Sequence, residues 1–147
     1  MTGISELFSG FRASSSGTTA ERARMDIITT NLANAQTTRM PGGGKPRPYQ
    51  RQQVSFEPIL RRMANGEDTI EGVRISAIEP DNVTPFEEIY DPGHPDADPT
   101  TGIVRMPNVN ATKEMADLIT SVRAYEANIK AQENFIRMAE TALRLAQ

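Results

Sequence analysis

Residues 111–147, ATKEMADLITSVRAYEANIKAQENFIRMAETALRLAQ, carry the pattern that decides the fold. Met115, Leu118, Val122, Tyr125, Ile129, Gln132, Ile136, Ala139, Leu143 and Ala146 recur by alternating steps of three and four, and all but Gln132 are apolar. Such a series lines one face of a helix and averages about 3.5 residues per turn, below the relaxed value of about 3.6, so it keeps its register only against a left-handed partner. Neither Pro nor Gly interrupts the chain from Asn108 onward, and Asn108 or Asn110 can cap the first free N–H groups. A helix from Asn110 to the end is about 55 Å long at 1.5 Å per residue, and each large apolar side chain on it is worth about 1.5–3 kcal/mol when buried. The stripe therefore needs a complement, supplied either by a second helix of the same chain in a hairpin or by neighbouring molecules.

A second series with the same step opens the chain: Ile4, Leu7, Phe11, Ser14, Thr18, Glu21, Met25, Ile28, Leu32 and Ala35. It predicts a helix from about Gly3 to Gln36. The run Ser14, Ser15, Ser16, Gly17, Thr18 and Thr19 consists of poor helix formers, with Gly17 alone costing about 1 kcal/mol relative to Ala, so the helix is expected to be weak at its middle and to fray when isolated in water.

Between the two series lie all ten prolines, from Pro41 to Pro107, and seven of the ten glycines. Pro41, Gly42, Gly43, Gly44, Lys45 and Pro46 predict turns on leaving the first helix. Val73, Ile75 and Ala77 alternate with Arg74 and Ser76, the period of a half-buried strand, and Tyr49 to Phe56 and Ile103 to Met106 are further strand candidates. Asn65-Gly66 suits a hairpin turn, since both residues tolerate positive φ. The expected architecture is mainly α with a small β-rich insert: long N- and C-terminal helices packed as a coiled-coil-like pair, with a Pro/Gly-rich β module between them. The expected segments are 1–40, 41–109 and 110–147.

Composition narrows the function. Among 147 residues, 16 are basic and 19 acidic without long blocks of one sign, a net charge of -3 that offers no broad positive surface to a nucleic acid. Cysteine is absent, which removes disulfides, thiolate metal sites and thiol catalysis. No apolar run approaches the roughly 20 residues of a membrane span, so no direct membrane insertion is expected. The N-terminal residues lack the basic start and apolar core of a classical signal peptide, so none is expected. The lone histidine, His94, stands among Asp91, Asp96 and Asp98, but Pro92, Gly93, Pro95 and Pro99 make this a turn-rich loop in which Asp favours bonds to its own backbone. An EF-hand counted from Asp96 puts Thr101 where glycine is needed and Pro107 where the bidentate glutamate is needed. A phosphate loop ending at Lys45 puts Arg39 at its first glycine and Pro46 at its hydroxyl. No serine stands in a nucleophile-elbow pattern. No catalytic residue, cofactor or metal site is expected.

Three segments together resemble the rod, hook and filament-axis proteins of bacterial flagella, over nearly the whole chain. Thr29-Thr30-Asn31-Leu32-Ala33-Asn34-Ala35-Gln36-Thr37-Thr38 is similar to that family's Ala-Asn-Asn-Ile-Ala-Asn-Val-Asn-Thr-Thr signature, departing at Thr29, Thr30 and Gln36. The stretch from Asp91 to Asp98, followed by Gly102 to Val104 and Met106 to Asn110, resembles the part that separates basal-body rod members from their relatives. Arg123-Ala124-Tyr125-Glu126-Ala127-Asn128-Ile129 resembles the terminal-helix element, with Val122 in place of its serine. The resemblance implies a non-enzymatic structural subunit of the proximal rod in the basal body. It further implies export through the flagellar type III apparatus and assembly in the periplasm, with other rod proteins and copies of itself, into a tubular drive shaft. The terminal helices are then expected to form the inner layer. The expected assembly interface is Ile4, Leu7, Phe11, Met25, Ile28 and Leu32 on the first helix and Met115, Leu118, Val122, Tyr125, Ile129, Ile136 and Leu143 on the last. Asn31, Asn34 and Asn128 join them as polar residues of the matched motifs. Two other readings stay open from the residues alone. One is a soluble adaptor whose helices close on each other and whose middle captures an extended peptide; the other is a hydrolase using His94.

Overall fold

The computed structural model describes residues 2–41, 47–62 and 68–145, with side chains from Phe8 to Arg144. Two long helices, α1 (Thr2–Ala33) and α2 (Ala111–Leu145), enclose in sequence β1 (Gln52–Arg62), β2 (Asp68–Pro80), β3 (Glu87–Tyr90) and β4 (Ile103–Met106). The chain is therefore mainly helical with a β insert, as the two periodic series and the Pro/Gly-rich middle predict. Strands β1 and β2 form one two-stranded sheet, β3 and β4 another. Among the described residues no helix is long and apolar enough to cross a membrane. The expected Asn65-Gly66 turn, the Gly42–Pro46 run, Ala146 and the side chains of Ile4 and Leu7 lie outside the described residues.

Two compact units share these elements: Met1–Met25, Val54–Ala77 and Ile119–Gln147 form one, Asp26–Gln53 and Ile78–Leu118 the other. In the first unit, α1 runs unbroken through Ser14–Thr19. The hydroxyls bond back to the preceding turn, Ser16 to Ala13 O (2.8 Å), Thr18 to Ser14 O (2.9 Å) and Thr19 to Ser15 O (3.2 Å), so they are satisfied within the helix. Their small size also admits neighbours. A Cβ on Gly17 would lie 2.9 Å from Asn128 Nδ2, and one on Gly10 would lie 2.5 Å from the Phe135 ring, which fixes α1 and α2 as antiparallel here. Gln132 Nε2 donates to Thr18 Oγ1 (2.7 Å) and Ser14 O (3.3 Å). The polar interruption of the α2 series thus meets two polar interruptions of the α1 series.

The β1–β2 sheet is laced by ion pairs, Arg62 to Asp68, Arg61 to Glu71 and Arg74 to Glu57, the order of antiparallel strands. It docks on α1 through Arg12–Glu71 and through Val73 N–H, which donates to Ser16 Oγ (3.0 Å). Gly72 is buried at this crossing, where a Cβ would collide with Ser16 Oγ.

In the second unit, β3 and β4 pair antiparallel with Ile89 opposite Val104 and Tyr90 opposite Ile103. Val104 is buried, and the next residue, Arg105, stacks its guanidinium 5.0 Å from the Phe86 ring centre. Helix α1 ends at Ala33, three residues before Gln36, because the chain turns: Asn34 Nδ2 donates to Thr30 O (2.9 Å) and Thr37 N–H donates to Asn34 O (3.1 Å). Tyr49 lies outside β1, since its N–H donates to Thr37 O (2.9 Å) and its ring is buried.

Candidate functional site

The second unit is built around a polar knot rather than an oily core. Glu114, Asn31 and Ser121 are the largest fully buried side chains, and the first two meet in this unit. Asn31, on the last full turn of α1, uses its whole hydrogen-bonding capacity. Its Nδ2 donates to Glu114 Oε2 (3.0 Å) and Gln52 O (2.8 Å), and its Oδ1 accepts from Tyr49 OH (2.8 Å) and Gln52 N–H (2.9 Å). The other Glu114 oxygen accepts from Arg51 Nε (2.7 Å), and Arg51 reaches Asp81 at 3.4 Å. Asn108 closes the knot: its Oδ1 accepts from Arg51 N–H (2.8 Å), and its Nδ2 donates to Asp81 O and Thr84 O (3.0 Å each). The cap of α2 is Asn110 alone, whose Oδ1 accepts from Lys113 N–H (3.0 Å).

Charge follows geometry. Backbone N–H and hydroxyl of Thr84, then the N–H of Val83, hold the Asp81 carboxyl down at about 2, with Arg51 adding to them against the effect of burial. Burial pulls Arg51 down, but the Glu114 hydrogen bond and the charges of Glu114 and Asp81 outweigh it and hold the guanidinium above its usual range. Burial, then the Glu114 charge, pushes the Tyr49 phenol up.

The His94 loop is a chain of turns. Asp91 Oδ1 accepts from Gly93 N–H (3.1 Å), His94 Nδ1 from Asp96 N–H (3.1 Å), and Asp98 Oδ1 from Thr100 N–H (2.8 Å). Asp96 is bound by Thr38 Oγ1 and the Arg39 guanidinium, which hold its carboxyl below the usual range against burial. These groups are committed to shaping the loop that returns the chain to β4 through Gly102, whose φ of 68° suits glycine.

Two family models match, one described as flagella basal body rod protein over residues 11–39 and one as flagellar basal body rod FlgEFG protein C-terminal over residues 100–145. The flagellar basal-body rod protein FlgC of Borreliella burgdorferi is 39% identical over 155 residues, covering 96% of this chain and 98% of that protein. FlgC of Bacillus subtilis is 39% identical over 149 residues (95% and 98%), and FlgC of Aquifex aeolicus 40% over 126 residues (86% and 87%). The chain belongs to the FlgC family of flagellar basal-body rod proteins. It is a structural subunit of the bacterial flagellar basal-body rod. The peptide-binding adaptor is not favoured.

Within this FlgC-family chain the expected interface residues separate into two sets. Ile28 and Asn31 are buried, and Phe11, Met25, Leu32, Asn34, Leu118, Tyr125, Asn128 and Ile129 are half-buried. Met115, Val122, Ile136 and Leu143 are exposed, Leu143 by 68%. The residues one position before the first three, Glu114, Ser121 and Phe135, are turned inward, as is Asn128 in the same seven-residue series. Helix α2 therefore carries two seven-residue ladders side by side: one faces its own chain, and the more apolar one faces out. Asn34 ends α1, and Asn128 lies against Gly17. Tyr49, Arg51, Asp81, Asn108 and Glu114 were not legible as site residues, since each is an ordinary polar residue locally. Glu114 standing seven before Ser121 and fourteen before Asn128 is the one periodic clue.

Proposed function

We propose that this rod subunit is part of the proximal drive shaft and transmits torque in flagellum-dependent motility, without enzymatic activity. It is exported by the flagellar type III apparatus and assembles across the periplasm with other rod proteins and copies of itself. The segments 1–40 and 110–147 are its assembly helices, and 41–109 is the module they carry. The observation that carries this reading is the outward ladder Met115, Val122, Ile136 and Leu143 on α2, four large apolar side chains of one seven-residue series, broken at the half-buried Ile129, that the chain's own fold leaves exposed. Ile4, Leu7, Phe11, Met25, Leu32, Leu118, Tyr125 and Ile129 complete the seam, which pairs in a coiled-coil-like manner with neighbours. A head-to-tail contact of this kind propagates a helical tube because the surface offered differs from the surface accepted. Loose terminal turns then gain order as they dock.

The test is to place Asp at Val122 or Ile136 and follow both rod assembly in cells and the thermal melt of purified protein. A charge in an assembled apolar seam costs several kcal/mol, whereas at an exposed site of the monomer it changes stability by about 0.5 kcal/mol or less. Non-motile cells lacking complete rods, with an unchanged melt, are expected. Normal motility in both variants contradicts the reading.

A further inference from the structure

Beyond Ile119, α2 turns three more ladders of seven-residue spacing to solvent. Glu126, Glu133 and Glu140 form an acidic one, Arg123, Lys130, Arg137 and Arg144 a basic one, and Ala127, Asn134 and Thr141 one of small side chains, all of them exposed. Successive residues stand about 100° apart round a helix, so the acidic ladder lies about 40° from the outward Val122, Ile136 and Leu143, the basic one about 100° and the small one about 140° in the same sense. The helix therefore has two unlike edges, one apolar and acidic, the other basic and small. Each of these glutamates stands four residues before a Lys or Arg, a spacing that suits a pair on one helix. Among the described residues, however, none of the seven charged side chains makes an ion pair or a side-chain hydrogen bond, and all the ion pairs lie outside 119–144.

We propose that α2 docks side by side on the α2 of a second copy of this chain, the apolar and acidic edge of one against the basic and small edge of the next, so that the three glutamates face the four cations across the joint. This names the partner for the rod reading and rests on it. A head-to-tail series needs an offered surface unlike the accepted one, and these two edges supply both. Copies so related run in the same direction, which sets the acidic ladder level with the basic one at an offset of three residues one way or four the other, about 4.5 or 6 Å. Ala127, Asn134 and Thr141 leave room for Val122, Ile136 and Leu143, while the aliphatic stems of the Arg and Lys side chains extend the apolar cover. Opposite charges across the joint fix its register and penalise a copy that offers the wrong edge.

Charge exchange in cells lacking the native chain tests this. Full-length E126K/E133K/E140K makes both charged ladders basic, and R123E/K130E/R137E/R144E makes both acidic. Expressed alone, either variant is expected to cut the number of completed rods at least about tenfold, because like charges then meet across every joint. Expressed together, the two restore rods, because each chain meets its opposite. A second chain cannot mend a pairing internal to one helix, nor one made with a different rod protein, so defects that persist on co-expression overturn the proposal. Normal rods from either variant alone overturn it too. Should a variant melt below wild type as purified protein, E133K co-expressed with K130E/R137E repeats the exchange with fewer changes. Failure of this exchange while V122D and I136D still block rods strikes the charged joint alone; normal motility in V122D and I136D strikes the rod reading.

Discussion

Asn31 Nδ2 stands 3.0 Å from Glu114 Oε2, a buried hydrogen bond between residues 83 positions apart that ties the last turn of α1 to the first turn of α2. Four bonds converge on that one amide, so its loss strands partners on three segments at once.

Replacing Asn31 by Ala should lower unfolding free energy by about 2–4 kcal/mol, because each buried group left unpaired costs about 1–3 kcal/mol. Asn31→Asp should be worse, since it sets a second carboxylate beside Glu114 in place of a donor. Urea unfolding at neutral pH followed by circular dichroism gives both values. Equal stability of wild type and Asn31→Ala would remove the amide from the fold's essential contacts.

Acid should act through Asp81. Its folded pKa of about 2 lies below the ordinary value of 3.8, so its carboxylate stabilises the fold fully above that ordinary value. The contribution declines as pH falls from about 4 towards 2, where the proton binds the folded state as well. Asp81→Asn should be less stable at pH 7 and show a flatter decline in that window. At the other end, the raised Tyr49 phenol favours the neutral form, so its contribution is intact below pH 10 and is lost as pH rises beyond that. Urea midpoints measured across pH 2–11 for wild type, Asp81→Asn and Tyr49→Phe check both limbs.

Two glycines in α1 should respond unequally to alanine. At Gly17 the obstacle is the end of the Asn128 side chain, which can swing aside, so the gain of about 1 kcal/mol in helix propensity offsets the crowding and Gly17→Ala is close to neutral. At Gly10 the obstacle is the rigid Phe135 ring, and overpacking of this kind costs about 1–3 kcal/mol. Thermal melts of the two variants should therefore differ, with Gly10→Ala the lower.

Much of this architecture was legible along the chain. The apolar series locate both long helices, and Ile103–Met106 is β4 residue for residue. Local patterns, however, report only what neighbours in sequence share. Propensity marks Ser14–Thr19 as weak, yet its small side chains admit Asn128, Gln132 and the Gly72 crossing, a benefit visible only once the partners are placed. Asn108 and Asn110 look alike as caps, but Asn108 is drawn into the knot by Asp81, Thr84 and Arg51 from distant segments. The seven-residue rhythm of α2 likewise gives the angle between its faces, not which face its own chain covers. That choice falls to Glu114, Ser121 and Asn128, leaving Met115, Val122, Ile136 and Leu143 outside.

A subunit-resolution image of the rod within an intact basal body measures that outward ladder directly. Met115, Val122, Ile136 and Leu143 are predicted to be buried against helices of adjacent subunits along the tube. Finding all four open to solvent in every copy would contradict the account.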